Sequence, residues 1–239
     1  RRREEAGGVA VAGVDPDAAS EAVGEPHGGV VAAGAGDLAV GREARVEEEG
    51  AAEGGGAAED ALRAAVADHG ADDLFAIVAT GGTTNYGVVD DIRGAVEVGR
   101  EHNLWVHVDG AIGAVFALSD AHRGRVPDLG LADSITVNPQ KLLGIPKSSS
   151  LLLLRQPSLL AACFATGLPY MEPSWADAHG GECGLQGTRP AEVLKLWLGL
   201  RQLGLSGIEA VLSGAIARRQ RLHQLLQPLP LDLCSGPLH

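Results

Sequence analysis

The chain has 239 residues, 45% of them hydrophobic and only 3% aromatic, with a formal net charge of −12. That length supports one large or two small domains with a buried core. The acidic balance argues against nucleic acid or an anionic membrane surface as a partner. The three cysteines, Cys163, Cys183 and Cys234, are scattered with no CxxC spacing, which fits a reducing cytosol better than a disulfide framework or a zinc site.

The longest apolar stretch, residues 149–168, is broken by Arg155, Gln156 and Pro157, short of the ~20 clean residues a membrane span needs. The opening Arg1–Arg3 runs directly into Glu4 and Glu5 without an apolar segment behind it, so no secretory signal is expected. A cytoplasmic protein with no membrane contact is the expectation. Residues 1–70 differ from the rest. Residues 4–58 are rich in Gly, Ala, Val and Glu, with an acidic run at Glu47, Glu48 and Glu49 and a triplet at Gly54, Gly55 and Gly56. Weak hydrophobic periodicity there predicts short, poorly determined elements or partial disorder.

Regular structure becomes legible near residue 59. Leu62, Ala65 and Val66 recur at helical spacing and predict a helix over 59–69. Residues 74–80 (LFAIVAT) form a continuous apolar run, as in a strand buried on both faces. Gly81, Gly82, Thr83 and Thr84 then force a loop. Residues 90–102 place Ile92, Val96 and Gly99 on one helical face, with Asp90 and Asp91 at the end where a helix favours negative charge. Strands are predicted over 104–108, 134–137 and 149–154. Two helices follow: 190–203, opening with a proline, and 206–227, capped by Ser206 and stopped by Pro228 and Pro230. Strands separated by helices predict an α/β architecture with a parallel or mixed sheet.

Ligands of open α/β sheets collect at the carboxyl ends of the strands, and three polar patches fall there: 80–84, 109–111 and 138–141. Lys141 follows Asn138, Pro139 and Gln140 and precedes Leu142, Leu143, Gly144 and Ile145. The apolar flank predicts an amine facing a partly dry site. Asp109 closes an apolar run, where an unpaired carboxylate is costly; it caps a turn or holds a cation. His107, two residues earlier, points to the same face of a strand. It either supports Asp109 or, as the simpler expectation, is a packed core histidine. Thr83 and Thr84 follow two glycines, so their N–H groups and hydroxyls suit either a phosphate or carboxylate or an ordinary turn. An aspartate and a lysine at neighbouring strand tips are what pyridoxal phosphate chemistry requires. The amine holds the aldehyde as a Schiff base, and the carboxylate keeps the pyridine nitrogen protonated.

Five segments carry a resemblance: AIVATGGTTNYG (76–87), HNLWVHVDGAIGA (102–114), ADSITVNPQKLLGI (132–145), SSSLLLLR (148–155) and LQGTRPAEVLKLWLGLRQLG (185–204). In this order they resemble the group II pyridoxal-phosphate-dependent amino acid decarboxylases, which act on glutamate, aromatic amino acids, cysteine sulfinate or diaminobutyrate. The resemblance implies a fold-type I, transferase-like large domain, a mostly parallel sheet flanked by helices, and incomplete. It divides the chain into an N-terminal part (1–70), the cofactor-binding core (71–205) and a helix leading toward a missing C-terminal small domain (206–239).

Carried over position by position, the resemblance implies that Lys141 binds the cofactor aldehyde and Asp109 the pyridine nitrogen. Ala111 would pack on the ring, with Thr84 beside cofactor and substrate carboxylate and Asn138 and Gln140 in the cofactor site. His27, with Val30 and Ala33, fits the form of the ring-stacking histidine segment. It also implies an amino acid substrate and a homodimer. Two departures stand out. Gln140 replaces the family's usual histidine and cannot shuttle a proton. The segment 167–184 offers only Tyr170 and Trp175 where the family commonly uses a mobile-loop tyrosine. Another pyridoxal enzyme on this scaffold (an aminotransferase or an aldehyde-forming enzyme) and an inactive remnant or interaction module remain the alternatives.

Overall fold

The computed structural model describes residues 29–33, 43–45, 55–147, 150–168, 182–185, 190–231, 236 and 238. Its centre is a six-stranded sheet of β1 (Gly29–Ala33), β2 (Glu43–Arg45), β3 (Leu74–Thr80), β4 (Trp105–Asp109), β5 (Ser134–Val137) and β6 (Leu151–Leu154). The strands lie in the order β2-β1-β3-β4-β5-β6, all parallel except β6, which runs antiparallel to β5. A mostly parallel α/β sheet is what the alternating pattern predicts. The short strands β1 and β2 lie in the stretch of weakest periodicity.

The continuous apolar run of β3 follows from its central place: Ile77 and Ala79 are fully enclosed, as are Val106 and Val108 of β4. Helix α1 (Gly55–His69) turns Leu62 and Val66 into the same core. Helix α2 (Ile92–Glu101) buries Ile92, Val96 and Gly99 as its spacing requires. Asp91 caps α2, accepting the Gly94 N–H at 3.0 Å, which satisfies one of the donors left open at a helix start. Asp90 does something else. Its carboxylate accepts the Thr80 N–H at 2.6 Å, while its own N–H donates to the Thr80 carbonyl at 3.0 Å. This pairing closes the loop between β3 and α2 at its base.

After β5 the chain makes one helical turn, α3 (Pro139–Leu142), and after β6 the short helix α4 (Ser158–Phe164). The C-terminal helical run α5 (Val193–Leu226) is broken at Gly204, whose φ of 59° and ψ of 178° are non-helical. The predicted pair of helices is therefore present, with the break at the glycine rather than at a Ser206 cap, because glycine adopts this backbone without a Cβ penalty. Leu196, Ile208, Leu212 and Ile216 anchor α5 to the core, and Pro228 follows its end. Near its start Lys195 Nζ donates to the Lys147 carbonyl at 2.9 Å. Gly199 lies so close to Ile145 that a Cβ would come within 2.9 Å of its side chain. Thus α5 braces the segment that leaves α3. Among the described residues, no helix is long and apolar enough to cross a membrane.

Candidate functional site

The site forms where β3, β4 and β5 end. Thr80 pairs in register with Asp109, and Asp109 with Thr136, so three polar side-chain positions form one row across adjacent strands at their carboxyl ends. The row is extended by the Gly81 N–H, which donates to the Asp109 carbonyl at 2.8 Å. One turn beyond β5, α3 carries Gln140 and Lys141. The three patches expected from the sequence are therefore neighbours in space.

Asp109 is half-buried and is held by its own turn: the Ala111 N–H donates to Oδ1 at 3.0 Å. One carboxylate oxygen is fixed in this way and the other is left for a cation or donor. Ala111 is buried, as is Gly110, where a Cβ would stand 2.6 Å from that of Ala114 and 3.0 Å from the Thr136 carbonyl. The wall beside Asp109 is thus built of small residues packed tightly against β5.

Lys141 is exposed, which corrects the expectation of a partly dry amine. The helical turn explains it. Leu143 and Ile145 go into the core and Leu142 packs against it, so the apolar neighbours lie beneath the turn instead of around the amine. Gln140 is the more enclosed of the two: its Oε1 is buried with no hydrogen-bond partner among the described residues. An orphaned acceptor costs stability and is the kind of group that a bound ligand satisfies. Asn138 starts the turn, its carbonyl accepting the Lys141 N–H at 3.0 Å, and its Oδ1 accepts from the Ser150 hydroxyl.

The two threonines separate. Thr83 is buried and spent on its loop, its N–H donating to the Val88 carbonyl at 2.8 Å and its Oγ1 accepting the Val88 N–H at 3.0 Å. It closes its own loop. Thr84, the next residue, is exposed at the rim. Leu238 was not legible as part of this region. It is fully buried, its N–H donates to the Gly87 carbonyl at 3.2 Å, and its side chain fills the space over Gly82 and Gly113. Nothing in its local sequence signals this long-range contact. His27, Tyr170, Trp175 and Arg189 lie outside the described residues. Arg93 pairs with Asp128 at 2.5 Å and Arg201 lies over the Trp197 ring, so both have structural partners.

His107 is half-buried and hydrogen-bonded on both sides. Its Nδ1 lies 2.8 Å from Ser134 Oγ and its Nε2 lies 3.1 Å from Thr136 Oγ1. Burial pushes the imidazole below its ordinary value of 6.5, with the nearby Asp109 carboxylate pulling the other way. A histidine kept neutral by the fold binds fewer protons than it does in the unfolded chain. Its contribution to stability is complete above about pH 6.5 and is lost as pH falls toward and through the folded value. Urea midpoints at pH 7.5 and 5.5 should therefore differ more for the parent than for His107→Gln. Equal losses would mean that the ring titrates freely in the fold.

A mostly parallel sheet with one antiparallel edge strand, a half-buried carboxylate and small residues at its strand ends, and a lysine-bearing turn one strand away, has the architecture of part of a fold-type I large domain. Comparison with known proteins agrees. The pyridoxal-dependent decarboxylase conserved domain matches residues 45–231, and the chain belongs to that family. It is 28% identical over 156 residues to an aromatic-L-amino-acid decarboxylase of Bacillus atrophaeus, covering 64% of this chain and 32% of the relative. The crystal structure of mouse CSAD superimposes with a TM-score of 0.68 at 31% identity, covering 75% of this chain and 38% of that one. A 4-hydroxyphenylacetaldehyde synthase from Rhodiola rosea has the same fold, with a TM-score of 0.67 at 22% identity over 89% of this chain and 47% of that one. The chain spans about a third of the length of the curated relative it matches.

Proposed function

We propose that this chain carries the cofactor-binding half of an L-amino-acid decarboxylase site, with Lys141 and Asp109 as its catalytic residues. The observation that carries the proposal is the register row Thr80, Asp109 and Thr136, which sets the carboxylate one strand away from the turn bearing Lys141. Pyridoxal phosphate, when bound, supplies an aldehyde that condenses with amines and a ring that accepts the electron pair released with CO2.

The residues present suit that group. Lys141 Nζ, reachable from solvent, is the amine for covalent attachment. The Asp109 oxygen not engaged by Ala111 would hold the proton of the ring nitrogen, its charge acting from a fixed position. The Ala111 methyl gives a flat ring a small seat. Asn138 and the buried Gln140 amide offer polar contacts beside Lys141, and Thr84 stands at the rim toward the substrate carboxylate. Gln140 can hydrogen-bond there but cannot move a proton, so reprotonation of the substrate carbon falls to another group. His27 as a ring-stacking residue, a homodimer and a cytoplasmic location belong to the same proposal.

The test is a visible absorbance spectrum of the chain with pyridoxal phosphate beside Lys141→Ala. A cofactor band in the parent that vanishes in the variant is the expected result. The parent is then offered acidic, aromatic and diamino acids, and CO2 with the primary amine is sought. Release of an aldehyde and ammonia would replace the decarboxylase assignment, and absence of a band in the parent would overturn cofactor binding.

A further inference from the structure

The side chains beneath Asp109 form a connected chain of hydrogen bonds. Trp105 Nε1–H donates to Ser134 Oγ at 2.8 Å, Ser134 Oγ lies 2.8 Å from His107 Nδ1, and His107 Nε2 lies 3.1 Å from Thr136 Oγ1. Thr136 is the register partner of Asp109, and His107 is that of Ser134. All five residues thus sit on two neighbouring parallel strands, at alternate positions that share a face. An indole nitrogen can only donate, so Ser134 accepts from Trp105. That leaves the Ser134 hydrogen available to His107 Nδ1; in the tautomer this selects, His107 donates from Nε2 to Thr136, leaving the Thr136 hydroxyl hydrogen as a donor on the strand end it shares with Asp109.

We propose that His107 is a positioning residue for Asp109: fixed by Ser134 and Thr136 as a single neutral tautomer, it keeps the strand end polar and ordered so that the carboxylate stays on the Ala111 N–H with its other oxygen presented outward. What Asp109 does there rests on the function proposed above; how His107 holds it rests on the hydrogen bonds alone. Removing the ring leaves two hydroxyls without their shared partner. Thr136 is then released to draw the neighbouring carboxylate away from Ala111.

The experiment needs no cofactor. Nitrogen-15 NMR of the histidine-labelled chain at neutral pH, with the His107 signals identified by their loss in His107→Gln, should show one neutral tautomer protonated at Nε2. A ring protonated at Nδ1, or averaging between tautomers, would overturn the proposal. Amide hydrogen exchange supplies the second readout. In His107→Phe the Ala111 N–H should exchange roughly tenfold faster, about the worth of one hydrogen bond. The Val106 and Val108 amides should keep their rates. His107→Gln, whose amide can both donate and accept, should restore most of the Ala111 protection. Uniform acceleration along β4 would make His107 a stability residue only, and an unchanged Ala111 amide would remove the link to Asp109. A parent chain that fails to take up pyridoxal phosphate would overturn the proposed function and leave these measurements standing.

Discussion

Asp109→Asn should lower the turnover of the cofactor-loaded protein by roughly 10²–10³-fold, the range found when one preorganised electrostatic contact is removed from an active site. The substitution is informative because so little else changes. The asparagine Oδ1 can still accept the Ala111 N–H that Asp109 accepts at 3.0 Å, so the turn after β4 keeps its geometry. What disappears is the negative charge on the oxygen that faces outward. On the function proposed above, a neutral amide would not favour a protonated ring nitrogen, and the ring that the cofactor would supply would be a poorer electron acceptor. Steady-state kinetics should show the loss in kcat, with an unchanged urea midpoint. Asp109→Glu keeps the charge but pushes it one methylene further from the Ala111 turn, and should fall between the two. Parent-like turnover in Asp109→Asn would remove Asp109 from the catalytic residues.

Gly113→Ala should produce the largest stability loss obtainable from one added methyl near the site. A Cβ at this position would overlap the Gly81 carbonyl oxygen, with Leu238 Cδ2 and Val126 Cγ2 each at 3.0 Å. The obstacle is backbone, and that backbone is pinned: the Gly81 N–H donates to the Asp109 carbonyl at 2.8 Å, and Gly81 bridges to Val89. Relief must therefore come from moving the loop that follows β3, the β4 end, or both. Overpacking typically costs about 1–3 kcal/mol, and with no flexible side chain to yield the upper end is expected. Urea denaturation should show a lower midpoint with an unchanged slope. Gly124 provides the control, since a Cβ there meets nothing within 4 Å; Gly124→Ala should be neutral or mildly stabilising. Equal midpoints for Gly113→Ala and the parent would show that the Gly81 loop does not pack as described. Because Gly81 is tied to Asp109, cofactor binding should weaken along with stability.

The position of the candidate site was legible before the fold because it depends on residue types at strand ends. Apolar runs at 74–80, 104–108 and 134–137 declare themselves by composition alone, and a strand buried on both faces, as read for 74–80, has little freedom to be anything else. The polar residues that interrupt them, Asp109 and the 138–141 segment, mark the ends. Alternation also placed His107 and Asp109 on one face of β4. What alternation does not contain is the register between strands. Only the pairing of His107 with Ser134 and of Asp109 with Thr136 turned an expected core histidine into a ring hydrogen-bonded on both sides.

The sequence by itself determined the α/β alternation, the family resemblance, the placing of Asp109 and Lys141 at the ends of β4 and β5, and the two-part C-terminal helix. These depend on local periodicity and on chemistry that few residue types can perform. The tertiary structure decided the rest. It placed Lys141 in solvent, because a helical turn sends Leu143 and Ile145 inward and the lysine out. It spent Thr83 on closing its own loop, left the Gln140 oxygen buried without a partner among the described residues, and brought Leu238 onto the glycines beside Asp109. Each of these is a contact between segments distant in sequence, set by register, turn direction and packing, and no local pattern encodes it.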